Sequence, residues 1–366
     1  MKKRLPRFSV VIPVKPEGKI VAAIAALKKV DYPNNLLEII IARGYSPSRQ
    51  RNTAVKQAKG EIIYFLDSDS EINSKAFKRV AAAFSGKKIG SRAPVHDFSI
   101  LPRFFCVWID QKFFSGTKQT AREIPKIAAV GGPNIWTRKE SFWSSAAGIV
   151  FESFFAYYTM VSRFRPTGDF RLCHERELVL CNLAIKRRIF NRIGGLKEEL
   201  YPNEENELLN RLVKFGYKLI YHPGIYVVRP RRESFWAIEK MFLNYGRGRM
   251  EHIRISSINQ SWLYLLPLLL LFYLICLILY HNWRLGFFPL AIYLLAGFGS
   301  ALGFAARRKK IYLAVFLPFF FLICHLSYSL GLVIGLFTDL KKRKKIRGNQ
   351  VELRWVKSFT RWQNGG

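Results

Sequence analysis

Cysteine and histidine are scarce in this sequence, and neither residue type is grouped. Five cysteines stand at irregular spacing among 366 residues, and two of them, Cys276 and Cys324, lie within apolar stretches. This spacing excludes a disulfide framework and the paired-ligand pattern of a zinc site. The opening MKKRLPRFSVVIPV has no long apolar segment before a cleavage site. We therefore expect a strand there, not a signal peptide, and a soluble domain that stays in the cytoplasm.

Acidic residues are also few. The chain has 25 Asp and Glu against 59 Lys and Arg, which gives a net charge of +34. Such an excess points to nucleic acid, anionic lipid or phosphate-bearing substrates as partners. Much of the charge flanks apolar segments, and no nucleic-acid-binding module is recognisable. We therefore expect anionic membrane lipid as a partner and no nucleic acid.

Apolar residues, in contrast, are almost continuous over 261–338. Three segments reach the ~20 residues that cross a bilayer: about 261–280, 285–306 and 311–338. The basic runs Arg307–Lys310 and Lys341–Arg347 both favour the cytoplasm. Three full crossings from a cytoplasmic domain cannot place both runs there, so one segment is expected to be re-entrant or interfacial. The third, with Pro318 and His325, is the candidate. The sequence thus predicts a multi-pass protein of the inner cell membrane.

The part before these segments alternates β-rich and helical stretches, which is typical of an α/β domain with a mixed, mainly parallel sheet. Its first three strands are expected at Phe8–Val14, Leu36–Ala42 and Glu61–Leu66. The predicted organisation is a cytoplasmic domain over 1–250, a membrane region over 251–340 and a basic tail over 341–366.

Two segments rich in glycine and basic residues are expected to be turns. They are Gly44–Arg51, before a helix expected from Asn52, and Gly246–Arg249, after a helix expected over Phe235–Tyr245. Three further basic residues are expected to anchor the domain to lipid phosphate: Arg229, Arg231 and Arg232.

Asp67 and Asp69 follow directly after the third predicted strand, and ligands of α/β sheets bind at the carboxyl ends of strands. Two carboxylates two residues apart can chelate a hard divalent cation through oxygen. Such a cation, Mn²⁺ or Mg²⁺, neutralises charge on a departing diphosphate. Acid pairs are common in exposed turns, so the surrounding motifs decide how this pair is interpreted.

Those motifs resemble the inverting family-2 glycosyltransferases, which have the GT-A fold. They occur in the family's order: SVVIPV (9–14), PSRQRNTAVKQAKGEI (47–62), GEIIYFLDSDSEI (60–72), VGGPNIWTRKESFW (130–143), CNLAIKRRIFNRIGGLKEEL (181–200), PNEENELLNRLVKFGYKLIYHP (202–223) and NYGRGR (244–249). The resemblance covers roughly 8–250. It implies a metal-dependent enzyme that moves a sugar from a nucleotide-diphosphate donor to a lipid-linked or surface-glycan acceptor.

The resemblance also implies roles for individual residues. Asp69 and Asp67 would hold the metal, and Glu205 would be the general base, with Glu204 as its rival. The family has Asp at the position of Glu205, but either carboxylate can take a proton from an acceptor hydroxyl. Donor or diphosphate contacts are expected from Pro13, Arg51, Asn52, Asp67, Ser68, Gly132, Arg247 and Arg249. Acceptor contacts are expected from Asn134 and Asn182.

One departure leaves the nucleotide open. The family's second strand ends in acidic residues that bind the base or ribose, whereas Ile41–Gly44 reads Ile-Ala-Arg-Gly. Two alternatives also stay open. The acceptor could be a polyprenyl phosphate, or the chain could be a non-catalytic membrane scaffold with a degenerate transferase domain.

Overall fold

The computed structural model of the chain describes residues 4–86, 126–136, 141–256, 261–280, 284–307, 311–340, 350–360 and 362. Within these ranges the strands are β1 Phe8–Val14, β2 Leu37–Arg43, β3 Ile62–Leu66, β4 Glu71–Ile72, β5 Ile127–Gly131, β6 Asn134–Trp136, β7 Arg171–Cys173, β8 Asn182–Lys186, β9 Lys218–Tyr221, β10 Val227–Arg229 and β11 Glu352–Lys357. The α-helices are α1 Val21–Leu27, α2 Pro47–Gln57, α3 Ala76–Phe84, α4 Phe142–Glu152, α5 Phe154–Tyr157, α6 Arg187–Arg192, α7 Glu204–Lys214, α8 Phe235–Ile255, α9 Leu266–Leu279, α10 Phe288–Arg307 and α11 Tyr312–Phe337. The basic run Lys341–Arg347 and residues 308–310 lie outside the described residues.

A mixed sheet with the strand order β11-β2-β1-β3-β8-β5-β9-β7 forms the centre of the fold. β1 pairs in parallel with β2 and β3, and β5 pairs in parallel with β9. β8, β7 and β11 run antiparallel to their neighbours. The predicted α/β class with a mixed sheet is confirmed, although parallel pairing does not dominate. A second, small sheet has the order β4-β10-β6.

Apolar side chains are buried on both faces of the large sheet. Val10 and Ile12 of β1 belong to one buried cluster, and Val11 belongs to the other, because successive side chains of a strand point to opposite faces. Phe77 of α3 packs on the first face and Leu208 of α7 on the second. A strand covered on both faces reads as a continuous apolar run, which is why the sequence predicts β1 correctly.

Helix α2 begins at Pro47, before the predicted start at Asn52. The expectation of a loop over Gly44–Arg51 is therefore wrong from Pro47 onwards. Proline is favoured in the first turn of a helix as well as in turns, and Arg51 is buried within the helix. The residue types that indicated a turn here are those of a helix start.

The predicted basic turn Gly246–Arg249 is also wrong, because these residues lie inside α8. Both glycines are sites of close packing. A Cβ on Gly246 would lie 1.9 Å from the carbonyl oxygen of Tyr328 in α11, and a Cβ on Gly248 would lie 2.4 Å from that of Pro202. Glycine in a helix costs roughly 1 kcal/mol relative to alanine, and here it lets backbones approach.

Two of the apolar helices are long and apolar enough to cross a bilayer by length and composition: Phe288–Ala306 and Tyr312–Phe337. The first predicted segment contains the shorter helix α9, with 14 residues. Helix α11 also packs along α8, since Phe320 and Phe242 share a buried cluster. Where the two helices end, Arg254 of α8 donates through Nη1 to the carbonyl oxygens of Gly335 in α11 at 2.9 Å and of Thr338 at 2.8 Å.

Strand β11 lies at the edge of the large sheet, beside β2. It pairs antiparallel to β2, with Leu353 opposite Ala42 and Trp355 opposite Ile40. The sequence analysis describes this part of the chain only as a basic tail. The chain therefore returns to the sheet of its N-terminal part after the apolar helices.

Candidate active site

The acid pair Asp67 and Asp69 lies at the carboxyl end of β3, as the sequence predicts. The chain turns after Leu66, and the amide of Ser70 donates to the carbonyl oxygen of Asp67 at 3.1 Å. The side chain of Asp67 is 24% exposed and that of Asp69 is 44% exposed. Both carboxylates are therefore within reach of a ligand at this edge of the sheet.

Two arginine side chains contact the acid pair. Arg229, the last residue of β10, places Nη1 2.9 Å from Asp67 Oδ2 and Nε 2.9 Å from Asp69 Oδ1. Its Nη2 donates to Asp69 Oδ2 at 2.9 Å, and Arg51 Nη2 donates to Asp67 Oδ1 at 2.7 Å. Burial alone would raise the pKa of Asp67, but Arg229 and Arg51 hold it below its ordinary value. Every carboxylate oxygen of the pair thus has a guanidinium contact.

These contacts correct the expectation that Arg229 and Arg231 anchor the domain to lipid. Arg231 is buried, and its guanidinium donates to the Ser144 carbonyl oxygen at 2.9 Å and to Glu152 Oε1 at 3.0 Å. It also lies 4.6 Å from the ring centroid of Trp136. Arg231 is thus held in the interior of the domain, and Arg229 is held by the acid pair.

The acid pair has the oxygen-donor chemistry that a hard divalent cation requires. Within the part of the chain that the structure describes, no group of three or more His, Cys, Asp or Glu side chains could hold a metal. The protein would therefore supply two carboxylates. Phosphate oxygens of a substrate would supply further ligands, which is a common arrangement for Mg²⁺. With phosphate ligands from a substrate, Asp67 and Asp69 could hold Mn²⁺ or Mg²⁺.

The two candidate bases begin helix α7, and their surroundings differ. Glu204 is buried, with Oε1 3.3 Å from Arg51 Nη1. Glu205 lines the cavity described below, and its Oε1 lies 3.5 Å from Arg163 Nη1. Burial, and then the charge of Glu205, raise the pKa of Glu204 above its ordinary value. Glu205 is thus the carboxylate that a ligand can reach.

The local sequence explains how two acids come to lie side by side here. Asn203, which precedes α7, has a φ of 94°, in the left-handed region that asparagine tolerates better than most residues. Its Oδ1 accepts from Asn206 Nδ2 at 2.6 Å. Carboxylates in the first turn are also stabilised by the helix macrodipole.

A cavity of about 820 Å³ adjoins the acids. Asp69, Glu205 and Asn134 are among its polar lining residues. Most of its remaining wall is apolar and aromatic, and it extends to Leu270 of α9 and Tyr293 of α10. Its basic lining residues are Arg163, Arg176, Arg229, Arg231, Arg232 and Arg249. The cavity thus joins the charged groups of the domain to the apolar helices.

Several predicted donor-side residues hold the fold together. Asn52 Nδ2 donates to the Leu196 carbonyl oxygen at 2.8 Å, and its Oδ1 accepts from the Leu196 amide at 2.9 Å. A Cβ on Gly132 would lie 2.0 Å from the Ile225 carbonyl oxygen. Asn52 is therefore hydrogen-bonded to a neighbouring chain segment, and Gly132 is packed closely against one. Pro13 lies in β1, one residue before its end, and Ser68 is partly exposed between the two acids.

The two predicted acceptor residues differ in position. Asn134 lines the cavity. Asn182 is fully buried, and its Nδ2 donates to the carbonyl oxygens of Pro133 at 3.1 Å and Ile225 at 2.8 Å. Its Oδ1 accepts from the hydroxyl of Tyr64. Asn182 therefore lies in the core, with its side-chain amide hydrogen-bonded within the protein.

The two predicted phosphate-binding arginines of α8 also differ. Arg249 lines the cavity, and its guanidinium lies 3.9 Å from the ring centroid of Tyr264. Arg247 Nε lies 3.4 Å from Glu251 Oε1, one turn further along α8. Of this pair, Arg249 is the one that lines the cavity.

Arg163 is not predicted from the sequence, and Arg229 is predicted as a lipid anchor. Arg163 Nη2 donates to Asn206 Oδ1 at 2.5 Å, and its Nε donates to the Arg176 carbonyl oxygen at 2.6 Å. Neither arginine belongs to a motif. Arg229 does end an apolar run, Ile225–Val228, and Pro230 follows it. A charged residue directly after an apolar run is the same pattern that drew attention to Asp67, so Arg229 could have been found in this way.

Comparison with known proteins identifies the domain. Residues 19–145 match the family model described as Glycosyl transferase family 2. The chain contains a glycosyl transferase family 2 domain. The mannosyltransferase PcManGT of Pyrobaculum calidifontis, solved in complex with GDP-Man and Mn²⁺, superimposes with a TM-score of 0.50 at 14% identity, over 92% of this chain and 88% of that one. This likeness confirms the predicted GT-A-like fold.

A curated relative is the poly(ribitol-phosphate) beta-N-acetylglucosaminyltransferase TarS of Staphylococcus aureus. It is 29% identical over a segment that covers 21% of this chain and 18% of TarS. The matched segment thus spans about a fifth of either protein.

Proposed function

We propose that this chain is a membrane-held glycosyltransferase that moves a sugar from a nucleotide-diphosphate donor to a lipid-linked or glycan acceptor. The observation that carries the proposal is that Asp69 and Glu205, from separate elements, line one cavity. An acid suited to a donor-bound cation and an acid able to take a proton thus meet the same space. The family 2 domain over 19–145 supports the donor class.

In this proposal Glu205 takes the proton of an acceptor hydroxyl while that oxygen attacks the anomeric carbon of the donor. The new glycosidic bond forms opposite the bond that breaks, and the nucleoside diphosphate leaves with the electron pair, so the configuration inverts. Arg163, 3.5 Å from Glu205 Oε1, orients the carboxylate. A bound Mn²⁺ or Mg²⁺, held by Asp67 and Asp69, would supply electrostatic stabilisation of the departing diphosphate.

The far wall of the cavity supports an acceptor that carries a hydrocarbon chain. Leu266 and Leu270 of α9, Tyr293 of α10 and His325 of α11 all line it. These helices belong to the apolar region proposed to lie in the membrane. An acceptor held there by its lipid would present its hydroxyl to Glu205 in the same cavity.

The second candidate acceptor, a polyprenyl phosphate, is favoured by Arg249. Its side chain is buried yet lines the cavity, and no salt bridge to it is found among the residues that the structure describes. A buried guanidinium over the ring of Tyr264 is suited to bind a phosphate, since a buried charge needs a counter-ion. In this version the phosphate oxygen itself is the nucleophile.

Strand β11 supports a membrane topology for the proposal. Because β11 pairs with β2, the segment after the apolar helices lies on the same side of a membrane as the sheet, and the number of crossings must be even. By length, α10 and α11 are the two helices that could cross, and crossings by both would place residues 307–310 on the opposite side from the sheet. Crossings by 261–280, whose helix α9 has 14 residues, and 285–306 would instead keep the basic run 307–310 on the side of the sheet and leave α11 along α8 in the interface.

The proposal is tested by sugar transfer with the full chain in detergent and membrane lipid extract. A panel of radiolabelled nucleotide sugars is offered to the wild type, Asp69→Ala and Glu205→Gln. With a hydroxyl acceptor, transfer by the wild type that falls at least about 100-fold in both variants supports the proposal. With a polyprenyl phosphate acceptor, whose oxygen is already ionised, the large fall is expected for Asp69→Ala alone. Mild-acid lability of the labelled lipid separates a polyprenyl phosphate product from a glycan product. Donor binding with no turnover by the wild type would favour the scaffold alternative.

A further inference from the structure

The position of a cation between Asp67 and Asp69 is taken by a side chain of the protein itself. Arg229 contacts one oxygen of Asp67 and both oxygens of Asp69, each at 2.9 Å. Its guanidinium is therefore shared by the two carboxylates that are proposed to hold the metal. A cation bridging the same two carboxylates would meet this group at close range.

Each carboxylate of the acid pair already has a positive partner without a metal. Arg229 contacts both Asp67 and Asp69, and Arg51 contacts Asp67 while it also pairs with Glu204. A divalent cation added alone would bring excess positive charge beside two guanidinium groups, and like charges at this range repel strongly. A nucleoside diphosphate that arrives with the cation brings the compensating negative charge.

The two arginines differ in their freedom to move. The side chain of Arg51 is 6% exposed and is also held by Glu204. The side chain of Arg229 is 25% exposed and lines the cavity. The backbone of Arg229 is fixed by pairing with β6, opposite Trp136, so a change of partner requires rotation of its side chain alone.

We infer that Arg229 is an internal counter-ion that excludes free divalent metal from Asp67 and Asp69. It releases the two acids when the nucleoside diphosphate and the metal bind together, and its guanidinium then moves to the diphosphate. Donor and metal consequently bind as one unit, and the empty enzyme has low affinity for metal. The inference rests on the proposed use of Asp67 and Asp69 as metal ligands.

Binding of Mn²⁺ to the full chain in detergent tests the inference without any need for turnover. Free Mn²⁺ is titrated by electron paramagnetic resonance, with and without UDP or GDP, for the wild type and Arg229→Gln. In the absence of nucleotide we expect the variant to bind Mn²⁺ about tenfold more tightly or better, because one repelling charge is gone. With saturating nucleotide the difference should shrink to less than about threefold.

Two further variants control the measurement. Arg232→Gln removes the same charge from an arginine that lines the same cavity but forms no salt bridge with either acid among the described residues, and it should keep wild-type Mn²⁺ affinity. Arg229→Lys keeps the charge and should bind free Mn²⁺ as weakly as the wild type. The melting temperatures of Arg229→Lys and Arg229→Gln, compared with that of the wild type, show whether each variant is folded.

The outcomes separate the inference from the proposed function. Equal Mn²⁺ affinity of the wild type and Arg229→Gln without nucleotide would overturn the inference alone. An equal gain in Mn²⁺ affinity in Arg232→Gln would also overturn the inference, because loss of any positive charge near the cavity would then have the same effect. No Mn²⁺ binding by any variant, even with nucleotide, would overturn the inference together with the metal part of the proposed function.

Discussion

Arg51 and Glu204 are 153 residues apart in the chain, yet Arg51 Nη1 lies 3.3 Å from Glu204 Oε1. The same guanidinium donates to Asp67 at 2.7 Å. One buried side chain therefore fixes the distance between the acid pair that follows β3 and the acids that begin α7. The relative placement of the proposed metal site and the proposed base depends on it.

Replacing Arg51 with methionine should destabilise the protein markedly. Above the pKa of Glu204, which is about 7, the change leaves this buried carboxylate charged and without its counter-ion, a loss of about 3–5 kcal/mol for a buried pair. Arg49→Met is the matched control, because Arg49 pairs with Glu198 at 2.8 Å with both side chains partly exposed, and such pairs contribute about 0–1 kcal/mol. Chemical unfolding in detergent measures both, and equal losses would contradict the buried bridge.

The buried position of Glu204 predicts a pH dependence of stability. Burial, followed by the charge of Glu205, raises the pKa of Glu204 from 4.5 to about 7. The folded state therefore binds a proton more tightly than the unfolded state does. The stabilisation is complete below the unfolded value and is lost as pH rises through the folded one, by at most about 3 kcal/mol.

Glu204→Gln should remove this dependence. The stability of the wild type should fall relative to that of the variant as pH rises from about 4.5 to about 7. Thermal unfolding across this range measures the difference, and Glu71→Gln, at an exposed position, should keep the wild-type profile. A constant difference between the wild type and Glu204→Gln would show that Glu204 does not titrate in this window.

Close contact between α8 and α11 predicts that Gly331 cannot carry a side chain. A Cβ there would lie 2.1 Å from the Leu243 carbonyl oxygen, so Gly331→Val should force the helices apart at a cost of about 1–3 kcal/mol. We expect a lower melting temperature and faster proteolysis after α11. Gly303→Val, at a helical glycine with no atom within 4 Å of the added Cβ, is the control. Similar effects of both changes would argue against the close contact.

The pairing of β11 with β2 predicts which residues share one side of a membrane. Single cysteines at Val21 in the domain and Glu352 in β11, in a chain without its own cysteines, should react alike with an impermeant maleimide. Both positions are exposed. In sealed vesicles of one orientation, either both are labelled or neither is labelled before detergent is added. Labelling of one alone would mean an odd number of crossings.

Much of the fold could be predicted because it depends on short segments. The apolar run of β1 and the two acids after β3 are local patterns, and the structure places both where the sequence indicates. Gly246 shows the limit of such patterns. A glycine in a sequence is equally consistent with a turn and with a close backbone contact. Gly246 makes a close contact because Tyr328 lies beside it when α8 packs against α11, and the local sequence does not reveal that packing.

The parts of the site that escaped prediction depend on residues distant in the chain. Arg229 reaches Asp69 across 160 residues, and no spacing rule connects a basic strand end to an acidic one. The side chain of Asn182 is fully buried, although the segment around it resembles a family motif that predicted an acceptor contact. Glu204 and Glu205 are adjacent in the sequence, and the arginines that contact them, Arg51 and Arg163, come from other elements.

The position of β11 also bears on how the chain is assembled as it is synthesised. β2 is made before any apolar helix, but the strand that covers its outer edge follows all of them. Until then β2 presents unpaired amide and carbonyl groups, which is a template for wrong pairing with another chain. Formation of the apolar helices and protection of the sheet edge are therefore successive steps of one process. A chain that ends between α11 and β11 would leave this edge of β2 uncovered and prone to aggregation.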